Sequence, residues 1–286
     1  MPQSPRSGKA GATVQIMQDP IESITSASNP LIKRLRGLER KKARQETGLF
    51  LAEGTRLVAQ GLANGWTLDT LVISKGAADR AFTRDMVETA RAAGARVVSV
   101  PEKLASRIAR KDNPQAVIGA FAQRPRRLDD LSRPGADLWI ALHEVRDPGN
   151  LGTILRTADC AGIGGIILTG QCCDPYSVEA VRASMGSVFD MPFAEAGFAA
   201  LDDWRRGRGA RLVAASMNGT VRHDGDIYAP RAVILMGNEQ SGLPAELEAA
   251  CDTLARIPMR GGADSLNLAQ ATAIMTYEAW RQKDFA

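Results

Sequence analysis

Five polar side chains in the C-terminal half are candidates for chemistry: Asn150, Arg156, Glu239, Ser265 and Asn267. Arg156 follows Asn150 by six residues, and a guanidinium aimed into a crevice can hold a phosphate through paired hydrogen bonds. The competing reading of Arg156 is a helix-surface ion pair with Asp159. Glu239 stands in the run Gly237-Asn238-Glu239-Gln240-Ser241-Gly242, directly after the apolar Val233-Ile234-Leu235-Met236. It either lines a crevice or serves as the N-terminal acid of a helix starting at Leu243-Pro244. Ser265 and Asn267 precede a helical pattern, so each is also a candidate N-cap. Gly261-Gly262 ahead of them suits close approach of a ligand to the backbone.

Several machineries are excluded. Neither loop has the Gly-x-x-x-x-Gly-Lys-Ser/Thr pattern that cradles a triphosphate. Only His143 and His223 are available, and no nucleophilic triad can be assembled around them. The four cysteines lack Cys-x-x-Cys spacing, which argues against zinc and for a reduced, cytoplasmic setting; the adjacent Cys172 and Cys173 read as strand-end packing.

The elements that must position these groups follow from hydropathy patterning. Val233–Met236 and Leu254–Ile257 read as strands, each running into a polar, glycine-bearing loop, the arrangement by which an open α/β sheet presents a ligand site at its strand ends. Leu138–Leu142 is a third strand. The polar stretch His143 to Gly152 follows it, then a helix from about Thr153 to Ala161, so that Asn150 falls in a turn. Strands at Ile163–Leu168 and Arg211–Ala215, helices at Ser177–Ser184 and Leu201–Arg206, and a final helix Ala269–Arg281 complete a mostly parallel α/β domain over 136–286. Residues 124–135, with two prolines, a glycine and four arginines, read as a linker. Before it, strands at Leu49–Glu53, Leu68–Ser74, Arg96–Val100 and Ala116–Phe121 alternate with helices, predicting an α/β sandwich over 21–123. Its first helix, entered at Ser28-Asn29-Pro30, carries a narrow apolar stripe of Leu31, Ile32, Leu35 and Leu38. Lys33, Arg34, Arg36, Arg40, Lys41, Lys42 and Arg44 crowd the rest, either as a solvated face or as a phosphate-contacting one. Residues 1–20 are expected to be a disordered tail, with a transit peptide as the alternative. No apolar run is long enough to span a membrane.

Charge divides the same way. Residues 1–134 hold 23 Lys and Arg against 13 Asp and Glu, whereas residues 135–286 hold 13 against 19. A basic half suits a polyanion such as nucleic acid, although lysines and arginines also simply solvate helices.

Three motifs resemble those of the SpoU branch of the SPOUT methyltransferases, the S-adenosylmethionine-dependent RNA ribose 2′-O-methyltransferases. They are Asp147-Pro148-Gly149-Asn150-Leu151-Gly152-Thr153-Ile154-Leu155-Arg156-Thr157-Ala158, Leu235-Met236-Gly237-Asn238-Glu239-Gln240-Ser241-Gly242-Leu243, and Ile257-Pro258-Met259 with Ser265-Leu266-Asn267-Leu268-Ala269. The resemblance covers residues 138–281. Residues 21–122, with Phe50-Leu51-Ala52-Glu53-Gly54 and Asp112-Asn113-Pro114-Gln115, resemble the family's substrate-binding domain, similar to ribosomal protein L30e. The resemblance implies a trefoil knot in the C-terminal domain and a homodimer with a shared active site. Gly237, Ile257, Met259 and Leu266 would hold S-adenosylmethionine, mainly by backbone atoms. Asn150, Arg156, Glu239, Ser265 and Asn267 match active-site positions. Family proposals give the arginine a part in accepting the ribose proton. A guanidinium stays protonated in proteins, so we read Arg156 as phosphate clamp and stabiliser of developing alkoxide, with Asn150 positioning the ribose. The accessory domain points to large-subunit (23S) ribosomal RNA as substrate. Transfer RNA, or RNA binding without catalysis, are the alternatives; base methylation does not fit these motifs.

Overall fold

The computed structural model describes residues 20–77, 81–110 and 117–285. Residues 1–19, which hold nearly all of the expected tail, and the Asp112–Gln115 turn lie outside the described residues.

In chain order, β1 (Glu22–Ser23) leads to α1 (Pro30–Gly37), α2 (Lys41–Thr47), β2 (Leu49–Glu53), α3 (Thr55–Ala63), β3 (Leu68–Ser74), α4 (Ala81–Ala92), β4 (Arg96–Val100), α5 (Glu102–Ala109) and β5 (Val117–Ala122). These strands form one sheet in the order β1-β4-β3-β5-β2. β1, β4 and β3 run parallel, whereas β5 is antiparallel to both β3 and β2. The chain continues through β6 (Leu138–His143), α6 (Pro148–Cys160), β7 (Ile166–Thr169), α7 (Val178–Ala183), β8 (Phe193–Glu195), α8 (Phe198–Gly207), β9 (Arg211–Ala215), β10 (Val221–Arg222), β11 (Ala232–Met236), α9 (Ala245–Ala249), β12 (Thr253–Arg256) and α10 (Leu268–Arg281). The second sheet has the order β10-β12-β9-β11-β6-β7-β8, with every neighbouring pair parallel. Its central strands are buried on both faces, which explains their unbroken apolar runs.

Three sequence expectations need correction. The helix expected from Thr153 starts at Pro148, because Asp147 caps it by accepting from the Asn150 N–H at 2.7 Å and Pro148 supplies a preformed first turn. Asn150 is therefore helical rather than in a turn. The strand expected from Ile163 begins at Ile166, since Gly164 and Gly165 are pressed against Trp139 and Leu131. The single cationic helix is two, broken at Leu38–Arg40, and Arg44 is not on a cationic face but buried. The segment 124–135 that joins the two sheets is anchored at several points. Leu131 is fully buried, the Arg124 N–H donates to the Tyr176 hydroxyl at 3.0 Å, and the Arg124 guanidinium lies over the Trp66 ring.

The two sheets share a core. Phe50, Trp66 and Phe121 of the first interlock with Tyr176 and Phe189 of the second unit, mostly at tilted or edge-on angles. The Trp66 indole N–H donates to the Phe189 carbonyl at 2.9 Å, and Arg182 pairs with the buried Glu53 at 2.7 Å.

Candidate methyl-transfer site

The site is built where β6, β11, β9 and β12 end. Gly237 leaves β11 into a loop that folds straight back, with the Asn238 N–H and carbonyl bridged to Gly242 at 2.9 and 3.0 Å. A Cβ on Gly237 would stand 2.5 Å from the Gly242 carbonyl carbon and 2.7 Å from the Leu243 nitrogen, both backbone, so glycine is obligatory there. Asn238 donates to the Glu144 carbonyl at 2.8 Å and accepts from the N–H groups of Gln240 and Ser241, tying this loop to the one after β6.

Glu239 is thereby aimed at the start of α6. It is not a helix N-terminal acid: its carboxylate accepts from the backbone N–H groups of Arg146 and Asp147 at 3.2 Å each and from the Asn150 amide at 3.3 Å. Partial burial pushes its carboxyl up, but those donors and its own backbone outweigh that and hold it below the ordinary carboxylate value. Asn267 caps α10, accepting from the Ala269 and Gln270 N–H groups, while its amide donates to the Asn150 side-chain oxygen at 2.9 Å. Three of the expected residues thus form one relay, Asn267 to Asn150 to Glu239. It joins the β11 loop, the first turn of α6 and the cap of α10.

The other two stand apart. Ser265 is exposed and donates only to its neighbour Asp264, at 3.2 Å. Arg156 is exposed, and no ion pair of it occurs among the described residues; Asp159, its expected partner, pairs with Arg133 at 3.1 Å. Six residues along α6 place Arg156 about 120° around the axis and about 9 Å along it from Asn150, so the two do not converge within one chain.

The expected cofactor residues line the remaining edge. Residues 257–266 make no backbone hydrogen bond among the described residues, and they leave Met259 and Leu266 exposed while Ile257 packs on the core. Gly261 and Gly262 face open space, so they meet no crowding from the chain itself. The sequence reading missed one wall. Ser216-Met217-Asn218 closes the end of β9, between β11 and β12, held by Glu248 through Ser216 and Asn218, with Met217 67% exposed. A short polar run after a buried strand, followed by Gly219, was the available signal. This donor set fits S-adenosylmethionine: free backbone N–H and carbonyl groups match its adenine and amino-acid ends, and exposed Met and Leu side chains offer it apolar cover. Burial pushes the Cys173 thiol up to about 12, which removes it as a nucleophile. Among the described residues no group of three or more His, Cys, Asp or Glu could hold a metal ion. No described helix is long and apolar enough to cross a membrane.

Fold and site together define an α/β protein with a cradle of loops, suited to a small molecule, at the carboxyl ends of a parallel sheet. Comparison with known proteins narrows this class. Residues 137–277 match the SpoU rRNA Methylase family and residues 29–119 the MRM3-like substrate binding domain. The chain is 46% identical to an AdoMet-bound rRNA methyltransferase from Sinorhizobium meliloti, covering 92% of this chain and 98% of that one, with a TM-score of 0.85. It is 31% identical to the 23S rRNA (uridine(2479)-2′-O)-methyltransferase of Streptomyces viridochromogenes, over 86% of this chain and 87% of that protein. It is 26% identical to the 23S rRNA (guanosine(2553)-2′-O)-methyltransferase of Bacillus subtilis, over 90% and 98%. The chain belongs to the SpoU rRNA methylase family, and is an S-adenosylmethionine-dependent RNA 2′-O-methyltransferase.

Proposed function

We propose that this enzyme methylates a ribose 2′-hydroxyl of 23S ribosomal RNA, in the cytoplasm and as a homodimer. The observation that carries the substrate is that the two relatives cited above, which align with both units of the chain, are each named for a 23S position. Those positions differ in base, so the reading extends to the RNA and not to the nucleotide.

Residues 21–123 act as the RNA-holding domain, 124–135 as the connection, and 136–286 as the methyltransferase domain. In the first, Lys33, Arg36, Arg40 and Arg110 line a concavity of 510 Å³ together with Glu39, which is ion-paired to Arg110. Convergent cations of this kind suit backbone phosphates, whose contacts position RNA without reading its sequence. In the second, bound S-adenosylmethionine supplies an electrophilic methyl group. Gly237, Ile257, Met259 and Leu266 would hold it, with Met217 as a further wall. Asn150, fixed from both sides by Glu239 and Asn267, orients the ribose. Glu239, saturated with donors and held ionised, is a positioning residue rather than a base. Arg156 stabilises the developing alkoxide or an adjoining phosphate.

A dimer accounts for the separation of Arg156 from Asn150. α6 leaves Thr153, Arg156 and Cys160 exposed, and α10, packed against it, leaves Gln270, Ile274, Tyr277 and Arg281 exposed at helical spacing. An apolar strip of Ile274 and Tyr277 on the exposed face of a helix whose opposite face is buried suits a second copy. That copy would bring its own Arg156 toward this site. The trefoil knot that the family resemblance implies belongs to the same reading. Ribose-methylation mapping of ribosomal and transfer RNA from a deletion strain tests the proposal. One 23S ribose should lose its methyl group and regain it with the wild-type gene but not with Arg156→Ala. Loss confined to transfer RNA overturns the substrate assignment.

A further inference from the structure

Between the basic concavity and the methyl-transfer loops lies one buried guanidinium that neither site uses. Arg44 has a side chain only 3% exposed. Its Nη1 donates to the carbonyls of Leu38 and Glu39, at 2.8 and 2.6 Å, in the break between α1 and α2, and Glu39 lines the concavity with Arg36 and Arg40. Its Nε and Nη2 reach Asp174 Oδ2 across the boundary between the two units, at 2.8 and 2.7 Å. Asp174 is itself held, since its Oδ1 accepts from the Tyr176 N–H at 2.8 Å. Its neighbour Cys173 donates its N–H to the Val145 carbonyl at 2.7 Å, and Val145 adjoins Arg146 and Asp147, the two residues whose N–H groups hold Glu239. Charge-assisted bonds from a planar, fully buried group permit little angular play at either end. A lysine could keep the charge pair but not three fixed directions at once.

We propose that Arg44 is a positioning residue that sets the register between RNA held at the Lys33–Arg110 concavity and the ribose site at Asn150. The proposal rests on the RNA ribose methyltransferase reading given above. Ion pairing alone would make Arg44 a stabilising contact; its simultaneous hold on Glu39, which lines the concavity, and on the loop that buttresses Glu239 makes it a ruler. Its loss leaves both sites intact and misaligned. A misplacement of about 1 Å costs on the order of a hundred-fold in rate even where binding survives.

The experiment compares wild type, Arg44→Lys and the isosteric Asp174→Asn, each checked for thermal midpoint and for S-adenosylmethionine binding by calorimetry. The RNA is the 23S transcript of the encoding organism, with labelled methyl donor, under single turnover. We expect both variants to bind donor normally and to bind the transcript within about a factor of two of wild type, because the phosphate contacts are unchanged. At saturating transcript their methyl-transfer rates fall about a hundred-fold, and mapping finds the residual methyl groups spread to riboses beside the wild-type position. Two folded variants with wild-type rate and a single modified position overturn the role of Arg44. So does a rate loss that vanishes when transcript concentration is raised, which would make the contact one of RNA affinity alone. No transfer to the transcript by wild type overturns the substrate reading instead, and is seen in the same assay.

Discussion

Replacement of Glu239 by glutamine separates a positioning carboxylate from a catalytic base. The carboxylate accepts three hydrogen bonds, at 3.2, 3.2 and 3.3 Å. Two fall on Oε1, from the Asp147 N–H and the Asn150 amide, and one on Oε2, from the Arg146 N–H. An amide placed with its NH2 at the Oε2 position opposes only the Arg146 N–H, so this orientation prevails and one bond is lost. A charge-assisted bond contributes about 1.5–3 kcal/mol. Glu239 is exposed to solvent and its bonds are long, so screening reduces each to about 0.5–1 kcal/mol. If all of that serves to order Asn150 in the transition state, Glu239→Gln slows methyl transfer by about five-fold. Glu239→Ala loses all three bonds, about 2 kcal/mol and about thirty-fold. The assay is single-turnover transfer at saturating RNA and donor, from pH 5 to 9. Because the folded carboxyl lies below its ordinary value of 4.5, the order it provides is complete above that value and is lost only as pH falls through the depressed folded value. No acid limb from Glu239 should therefore appear above about pH 5. A loss of about a thousand-fold in Glu239→Gln across this pH range would make the carboxylate the proton acceptor and refute this reasoning.

Three further outcomes are expected. Gly152→Ala places a Cβ 2.6 Å from the Ala183 Cβ, 2.9 Å from the Ser184 nitrogen and closer still to the Ala180 carbonyl, so it should cost about 1–3 kcal/mol in urea unfolding; a change under about 0.5 kcal/mol would count against the tight α6–α7 contact. Asn267→Asp keeps the α10 cap but removes the amide that anchors Asn150, so the unfolding midpoint should hold while transfer slows; Asn267→Ala should lose about 1 kcal/mol of stability as well, and equal stability of Ala and Asp variants would contradict the capping role. Tyr277→Glu, on the exposed strip of α10, should shift sedimentation from dimer to monomer and abolish transfer, whereas a monomeric but active wild type would remove the dimer from the mechanism.

How much was legible beforehand can be argued from single residues. The strands β2, β3, β4 and β9 coincide with the apolar runs that announced them. Runs of five to seven residues carry a period that local sequence displays. β1, β8 and β10 have two or three residues each, too few for any period, and exist only because a neighbouring strand offers its edge. The polar stretch His143 to Gly152 reads as a loop in sequence, which places Asn150 in a turn. Asp147 as N-cap with proline at the first position is a helix start, and Gly152 is there because α7 crosses too close for any side chain. Arg44 misled most: surrounded by exposed cations in sequence, it is withdrawn from them by a carboxylate 130 residues away.

By itself the sequence determined the parallel α/β character of the second unit and the basic character of the first. These are local quantities: hydropathy period, charge and residue type, readable within a window of a dozen residues. Only the tertiary structure decided that Asn267, Asn150 and Glu239 form one relay, that Arg156 stays outside it, and that Arg44 is buried between the units. Those outcomes depend on which strand ends lie side by side and on the angular step of a helix. Such distances are set by long-range pairing of segments that no local pattern records.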